Sequence, residues 1–202
     1  FNIIDEVIKL FPFKILHIGG DEVPKDRWKE CPDCQARKKA LGLKTEDELQ
    51  VYFTNRIAEY MNNKGWRIMG WNEILAAGVN PSAIGQYWAF SEKSTLEHLR
   101  KGGNVVFSKV GHVYLDYNYG VTPLKKTYAY EPILKQLEPE FHKNVLGIET
   151  PMWTEWARNL TRLHWQIFPR LIAVAETGWT QKNSKNYKRF RKNLEKLYPR
   201  LK

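Results

Sequence analysis

The sequence predicts an α/β fold, read as a partial (β/α)8 TIM barrel, and three observations carry that expectation. Short apolar segments that read as strands alternate with helical stretches, the pattern of a parallel sheet covered by helices. No glycine-rich phosphate loop follows any of them, which argues against the nucleotide-binding version of such a sheet. There are about five strand candidates, where a closed barrel has eight strands and roughly 250 residues. The 202 residues are therefore expected to supply about strands 4 to 8 with their helices and to lack the first three βα units.

The elements follow in chain order. Phe1, Ile4, Ile8 and Phe11 form a helical stripe that ends at Pro12, and residues 13–18 read as a short buried strand closed by Gly19-Gly20. Thr45-Glu46-Asp47-Glu48 fits a capping box, after which Leu49, Phe53, Ile57, Tyr60 and Met61 continue one apolar face until Gly65. Residues 66–70, 83–87, 105–108 and 145–148 read as further strands, with helical stretches at 92–101 and 132–137. From Leu160 a long helical pattern runs through Trp165, Phe168, Leu171, Ile172 and Val174, with a kink expected at Pro169. Neither a repeat nor a linker divides the chain, so residues 1–202 are expected to form one domain, the C-terminal portion of a barrel.

Composition narrows the function classes. No run approaches the roughly 18 to 20 apolar residues that a membrane-spanning helix needs. The first residues lack the basic-then-apolar order of a signal peptide. The chain opens with Phe1 inside a helical pattern, which fits a fragment or a processed product. The net charge of +10 raises nucleic acid as a partner. Much of the excess is local, however: between Lys182 and Lys202 nine basic residues, including Arg200, meet only Glu195, while Tyr187, Phe190, Leu194, Leu197 and Leu201 recur at helical spacing. A terminal amphipathic helix with a solvated basic face is the expected outcome, with no nucleic acid bound. Cys31-Pro32-Asp33-Cys34 admits a redox dithiol, half a zinc site or a local disulfide. With no further metal ligands nearby, a cysteine pair in a structural loop or at a helix start is the simpler reading, and neither metal nor cofactor is expected.

Chemistry concentrates where strands run out. His17-Ile18-Gly19-Gly20-Asp21-Glu22 sets two carboxylates at a strand end, and barrel active sites sit at that end. Gly-Gly-Asp-Glu also occurs in diguanylate cyclases, where a phenylalanine typically follows; here Val23-Pro24 follows. Trp71-Asn72-Glu73, Gln86-Tyr87-Trp88, Tyr114-Leu115-Asp116 and Trp153-Thr154-Glu155 then recur at or beyond the ends of successive strands. Independent core packing has no reason to favour that end. Sugars reward such a lining, because their C–H faces stack on aromatic rings while carboxylates and amides orient their hydroxyls.

The order H-I-G-G-D-E, G-W-N-E, Q-Y-W, Y-L-D, W-T-E and F-P-R-L resembles family 20 glycoside hydrolases from their fourth barrel strand onward. The resemblance implies a β-N-acetylhexosaminidase that releases terminal N-acetylhexosamine from glycans through an oxazolinium ion, without cofactor. It implies Glu22 as general acid and then base, Asp21 as the group that orients the substrate's 2-acetamido nucleophile, and Tyr114 as donor to the acetamido oxygen. Trp71, Trp88 and Trp153 would wall in the acetamido methyl and the sugar face, and Asp116 and Glu155 would bind outer hydroxyls, while His17 reads either as a partner of the carboxylates or as a satisfied inward-facing barrel histidine. It suggests an extracellular or periplasmic setting. Family members also use an arginine from the first strand, so either a longer parent chain or a homodimer is expected to fill the gap, with weak turnover by the isolated chain. The rival readings are a catalytically silent carbohydrate-binding module and a nucleotide-signalling or nucleic-acid protein.

Overall fold

In the computed structural model, which describes residues 1–197 and 199 apart from Ala77 and Ser91, the five expected strands form one sheet. They are β1 (Ile15–His17), β2 (Arg67–Trp71), β3 (Ile84–Tyr87), β4 (Asn104–Phe107) and β5 (Val145–Ile148), in that order across the sheet. β1 pairs with β2 and β2 with β3, both in parallel. The chain divides into two compact units, Phe1–Val106 with Leu137–Val145, and Phe107–Gln136 with Leu146–Lys202.

In the first unit α1 (Asn2–Leu10) is tied to α4 (Glu46–Asn63) by its polar and aromatic side chains. Phe1 stacks on Tyr60 with ring centroids 4.0 Å apart, and the Asp5 carboxylate accepts from the Tyr60 hydroxyl at 2.7 Å and pairs with Lys64 at 3.0 Å. α4 begins as expected: the Thr45 hydroxyl accepts the Glu48 amide N–H at 3.2 Å. The return arm of the box lands one residue early, with the Glu48 carboxylate accepting the N–H of Lys44 at 2.6 Å. The buried face of α4 differs from the stripe of large residues. Leu49, Val51, Thr54, Ala58 and Met61 are buried, whereas Phe53 is 61% exposed. Thr54, Ala58 and Met61 are spaced to share one side of the helix, and the two small side chains let it approach the sheet closely.

Two further corrections concern strand burial and helix extent. β1 forms where expected but is the terminal strand of the sheet, so its side chains are exposed or half-buried, Ile15 at 49%. Residues 132–137 carry turns and bends instead of a helix; so short a stretch has no helical stability of its own and depends on tertiary packing.

Two short helices that apolar periodicity could not announce, α2 (Asp26–Glu30) and α3 (Pro32–Ala40), follow β1. Cys31 is the N-cap of α3, its sulfur accepting the Cys34 N–H at 3.4 Å, and both thiols are free. The cysteine pair therefore stands at a helix start. Among the described residues no group of three or more histidine, cysteine or acidic side chains could hold a metal ion. α3 docks on the start of α4 through Glu46, which accepts from Lys38 at 2.5 Å and from Gln35 at 3.0 Å. The Lys38 ammonium, then Gln35, pulls the Glu46 carboxyl from its ordinary 4.5 down to about 2. A carboxyl depressed by folding stabilises the fold above its unfolded pKa, and that stability drains as pH falls through the folded value. Urea midpoints should accordingly fall between pH 4.5 and 2, and fall less steeply in Glu46→Gln; identical pH slopes for the two proteins would refute the coupling.

The helical stretch expected at 92–101 forms as α5 (Lys93–Arg100) in the first unit. In the second unit α6 (Leu124–Tyr128), α8 (Arg170–Trp179) and α9 (Tyr187–Leu197) pack around Tyr128, Ala173, Phe190 and Leu194. α9 turns Phe190 and Leu194 inward and leaves Lys188, Arg191, Lys192 and Lys196 exposed, the solvated basic face that the spacing predicts. Arg200, Leu201 and Lys202 of that pattern lie outside the described residues. The long helix expected from Leu160 is two, α7 (Leu160–Ile167) and α8, because Pro169 ends the first and caps the second. Among the described residues no helix is long and apolar enough to cross a membrane.

Candidate active site

The parallel register sorts the first unit's strands into two faces. His17 lies beside Met69, Met69 beside Ile84, and Trp71 beside Gln86, so these share one side, and Gly70 and Gly85 share the other. The glycine side is occupied by the 3₁₀ turn Asn72–Leu75. A Cβ at Gly70 would stand 2.8 Å from Ile74 Cδ1, and one at Gly85 would stand 2.4 Å from Leu75 Cδ1. Because both strands lack a side chain there, the turn folds back against the sheet and carries Asn72 and Glu73 to the strand ends. Asn72, buried, accepts the backbone N–H of Trp88 at 2.9 Å and donates to the Ala89 carbonyl at 3.0 Å. Glu73 accepts the Trp88 indole N–H with both oxygens, at 3.0 and 3.2 Å.

His17, Trp71 and Trp88 thus come together. His17 meets Trp71 edge-on at 5.3 Å between centroids, and Trp71 meets Trp88 at 6.2 Å. His17 Nδ1 accepts the Gly19 N–H at 3.1 Å, which leaves its proton on Nε2 in the neutral ring. The backbone after β1 is unusual: Gly19, Gly20 and Glu22 have φ of 72°, 95° and 45°. For glutamate the left-handed region is strained by about 1–3 kcal/mol, and such strain concentrates at functional sites. The turn is fastened from α4 by Gln50, which donates to the Gly20 carbonyl at 2.9 Å and accepts from Lys25. Asp21 and Glu22 are both exposed. Glu22 lines a cavity of about 400 Å³ together with Glu73, Gln50, Lys25 and Phe90. Phe90, at φ 65°, is the other non-glycine residue of positive φ among those described.

Tyr114, Asp116, Trp153 and Glu155 belong to the second unit. Tyr114 is 5% exposed and Asp116 half-buried, whereas Trp153 (51%) and Glu155 are exposed, Glu155 within the short 3₁₀ turn Thr154–Trp156. Two hydrogen bonds join the segments that carry them: the Leu115 N–H donates to the Pro151 carbonyl at 2.9 Å, and the Thr150 hydroxyl donates to the Val113 carbonyl. Burial holds the Asp116 carboxyl above the usual range, with Arg170 opposing and the Glu155 charge adding to the shift. The loop is held from behind by two side chains. Gln166 donates to the Asp116 carbonyl at 2.6 Å, and the fully buried Arg170 guanidinium donates to the carbonyls of Leu115 (2.6 Å), Gln166 (2.6 Å) and Thr122 (3.2 Å). It also lies 4.4 Å from the Tyr119 ring centroid.

Gln50 and Gln166 were not singled out from the sequence, and Asn72, Glu73 and Arg170 entered only inside the motifs G-W-N-E and F-P-R-L without a role, although each fixes a segment that bears a named residue. Asn72 and Glu73 stand beside Trp71 in sequence, but spacing does not say which way a turn residue points. Arg170 did leave a trace, as a lone cation heading the apolar run Leu171-Ile172-Ala173-Val174.

Comparison with known proteins shows the family to which this sheet and its strand-end residues belong. Residues 1–182 match the glycosyl hydrolase family 20 catalytic domain. The chain is 38% identical to a β-hexosaminidase of Porphyromonas gingivalis over 99% of its own length and 27% of that protein. It is 33% identical to a Vibrio furnissii β-hexosaminidase, covering 87% of this chain and 31% of the relative. Among solved structures, the exo-β-N-acetylglucosaminidase of Vibrio harveyi in complex with N-acetylglucosamine superposes with a TM-score of 0.86 at 32% identity, over 98% of this chain and 33% of that one. The Flavobacterium johnsoniae chitobiase gives 0.86 at 35% identity, over 97% and 30%. The chain belongs to glycoside hydrolase family 20. It spans about a third of the length of these relatives.

Proposed function

We propose that the chain is the C-terminal portion, strands 4 to 8, of a (β/α)8 catalytic barrel that hydrolyses terminal N-acetylhexosamine residues from β-N-acetylhexosaminides. The observation that carries this reading is Glu22, held in left-handed backbone and lining a cavity with Glu73 and Phe90, both of which contact Trp88. Glu22 protonates the glycosidic oxygen as the substrate's acetamido oxygen attacks the anomeric carbon. The C–O bond breaks, an oxazolinium ion forms, and Asp21 accepts the acetamido N–H to hold the nucleophile and stabilise its positive charge. Glu22, now a carboxylate, takes a proton from the water that opens the ring, so configuration is retained. Tyr114 donates to the acetamido oxygen, Asp116 and Glu155 take outer hydroxyls, and Trp71, Trp88 and Trp153 form the walls. His17 supports the turn by accepting the Gly19 N–H.

The substrate's own nucleophile supplies the selectivity. Oriented intramolecular groups reach effective molarities on the order of 10⁵ M or more, so removing the acetamido group removes most of the rate. Apolar side chains left open on the terminal strands, Ile15 and Leu146, fit further strands pairing there, from a longer chain or a second copy. The test is release of 4-nitrophenol from its N-acetyl-β-glucosaminide, N-acetyl-β-galactosaminide and β-glucoside. The expected result is turnover of an acetamido sugar at least about 10²-fold above the glucoside. Comparable rates would overturn the mechanism, and sugar binding without any turnover would favour a silent binding module.

A further inference from the structure

Glu73 has no part in the mechanism above, yet it lines the cavity that holds Glu22 and accepts the Trp88 indole N–H with both oxygens. The Trp88 backbone is already pinned by Asn72. What remains to be set is the orientation of the indole about its side-chain torsions. Ring contacts with Trp71 at 6.2 Å and Phe90 at 5.3 Å restrict it sterically. A hydrogen bond from the single indole N–H to a carboxylate adds a directional, charge-assisted constraint that edge packing does not.

We infer that Glu73 is a positioning residue that fixes the Trp88 indole and thereby sets which N-acyl group the site accepts. The inference rests on the proposed function, in which Trp88 is part of the wall around the acetamido methyl. A wall held rigidly leaves room for acetyl and penalises an acyl group one methylene longer, whereas a wall free to swing accommodates both. One methylene in a shaped apolar pocket changes kcat/KM by about 10- to 200-fold. Glu73→Gln keeps an acceptor oxygen at the same reach, while Glu73→Leu keeps the bulk and removes the acceptor.

The test measures kcat/KM for 4-nitrophenyl N-acetyl- and N-propionyl-β-glucosaminide in the full chain, in Glu73→Gln and in Glu73→Leu. The ratio of the two values is independent of how much of each preparation is folded, so a merely structural loss does not move it. The parent chain and Glu73→Gln are expected to prefer acetyl by about 10-fold or more, and Glu73→Leu to lose most of that preference. An unchanged ratio in Glu73→Leu, or an equal loss in Glu73→Gln, overturns the inference. A second readout needs no turnover: the Trp88 indole resonance in a proton–nitrogen spectrum, assigned by its absence in Trp88→Phe, should move upfield in Glu73→Leu. If it stays in place, the inference fails. Absence of hydrolysis by the parent chain would count against the proposed function, while the indole resonance would still decide the role of Glu73.

Discussion

Glu22→Gln is expected to lower kcat/KM for an N-acetyl-β-hexosaminide by about 10² to 10⁴, the usual worth of a positioned general acid. The amide cannot donate to the leaving oxygen with comparable acidity or later accept a proton from water. The loss should be largest for alkoxide leaving groups, which need the proton most, and smaller for a dinitrophenolate, which departs without help. The substitution changes no buried contact, because Glu22 is exposed, so thermal stability should stay within about 0.5 kcal/mol of the parent. A variant that folds normally and retains more than about a tenth of the activity on alkyl glycosides would remove Glu22 from the acid role.

The second large effect falls on stability. Arg170 is fully buried in the second unit and donates to three carbonyls, two of them, Leu115 and Thr122, on the loop that carries Asp116. Burial alone would favour losing its charge and does press its pKa downward. The compensating interactions are hydrogen bonds from a planar fork, which a lysine cannot reproduce at several acceptors simultaneously. Arg170→Met keeps the volume and strands the carbonyls, at about 1–3 kcal/mol for each acceptor left unpaired. A total of about 3 kcal/mol corresponds to a fall in melting temperature of roughly 6 to 12 °C for a chain of this size. Arg170→Lys should recover only a minor part. A melting temperature within about 2 °C of the parent for Arg170→Met would show that water or a shifted loop replaces the guanidinium without penalty.

What the sequence disclosed and what it hid have physical causes. The strands were legible because their apolar runs are bounded by glycine and by turn residues, and all five form within a few residues of the expected spans. The start of α4 was legible because capping is a local interaction between Thr45 and Glu48. The apolar side of α4 was read in part: Leu49 and Met61 are buried, but hydrophobicity also marks the exposed Phe53, whereas close packing selects Thr54 and Ala58. The exposed side chains of β1 reflect its terminal place in the sheet, a property of strand order that no local pattern encodes. At the candidate site, Asp21 and Glu22 stand out because adjacent carboxylates after paired glycines are rare punctuation for a strand. The supports were hidden: the bonds from Glu73 to Trp88 and from Arg170 to the loop at residues 115–122 link positions 15 to 55 residues apart.

The account turns on the substrate's own acetamido oxygen acting as nucleophile under the control of Asp21 and Glu22. Proton NMR of the sugar in the first moments of hydrolysis tests this most directly, before the anomers equilibrate. Two successive displacements at the anomeric carbon require the β-anomer of N-acetylhexosamine to appear first. If the α-anomer appears first, water attacks the glycoside directly and the proposed mechanism is wrong.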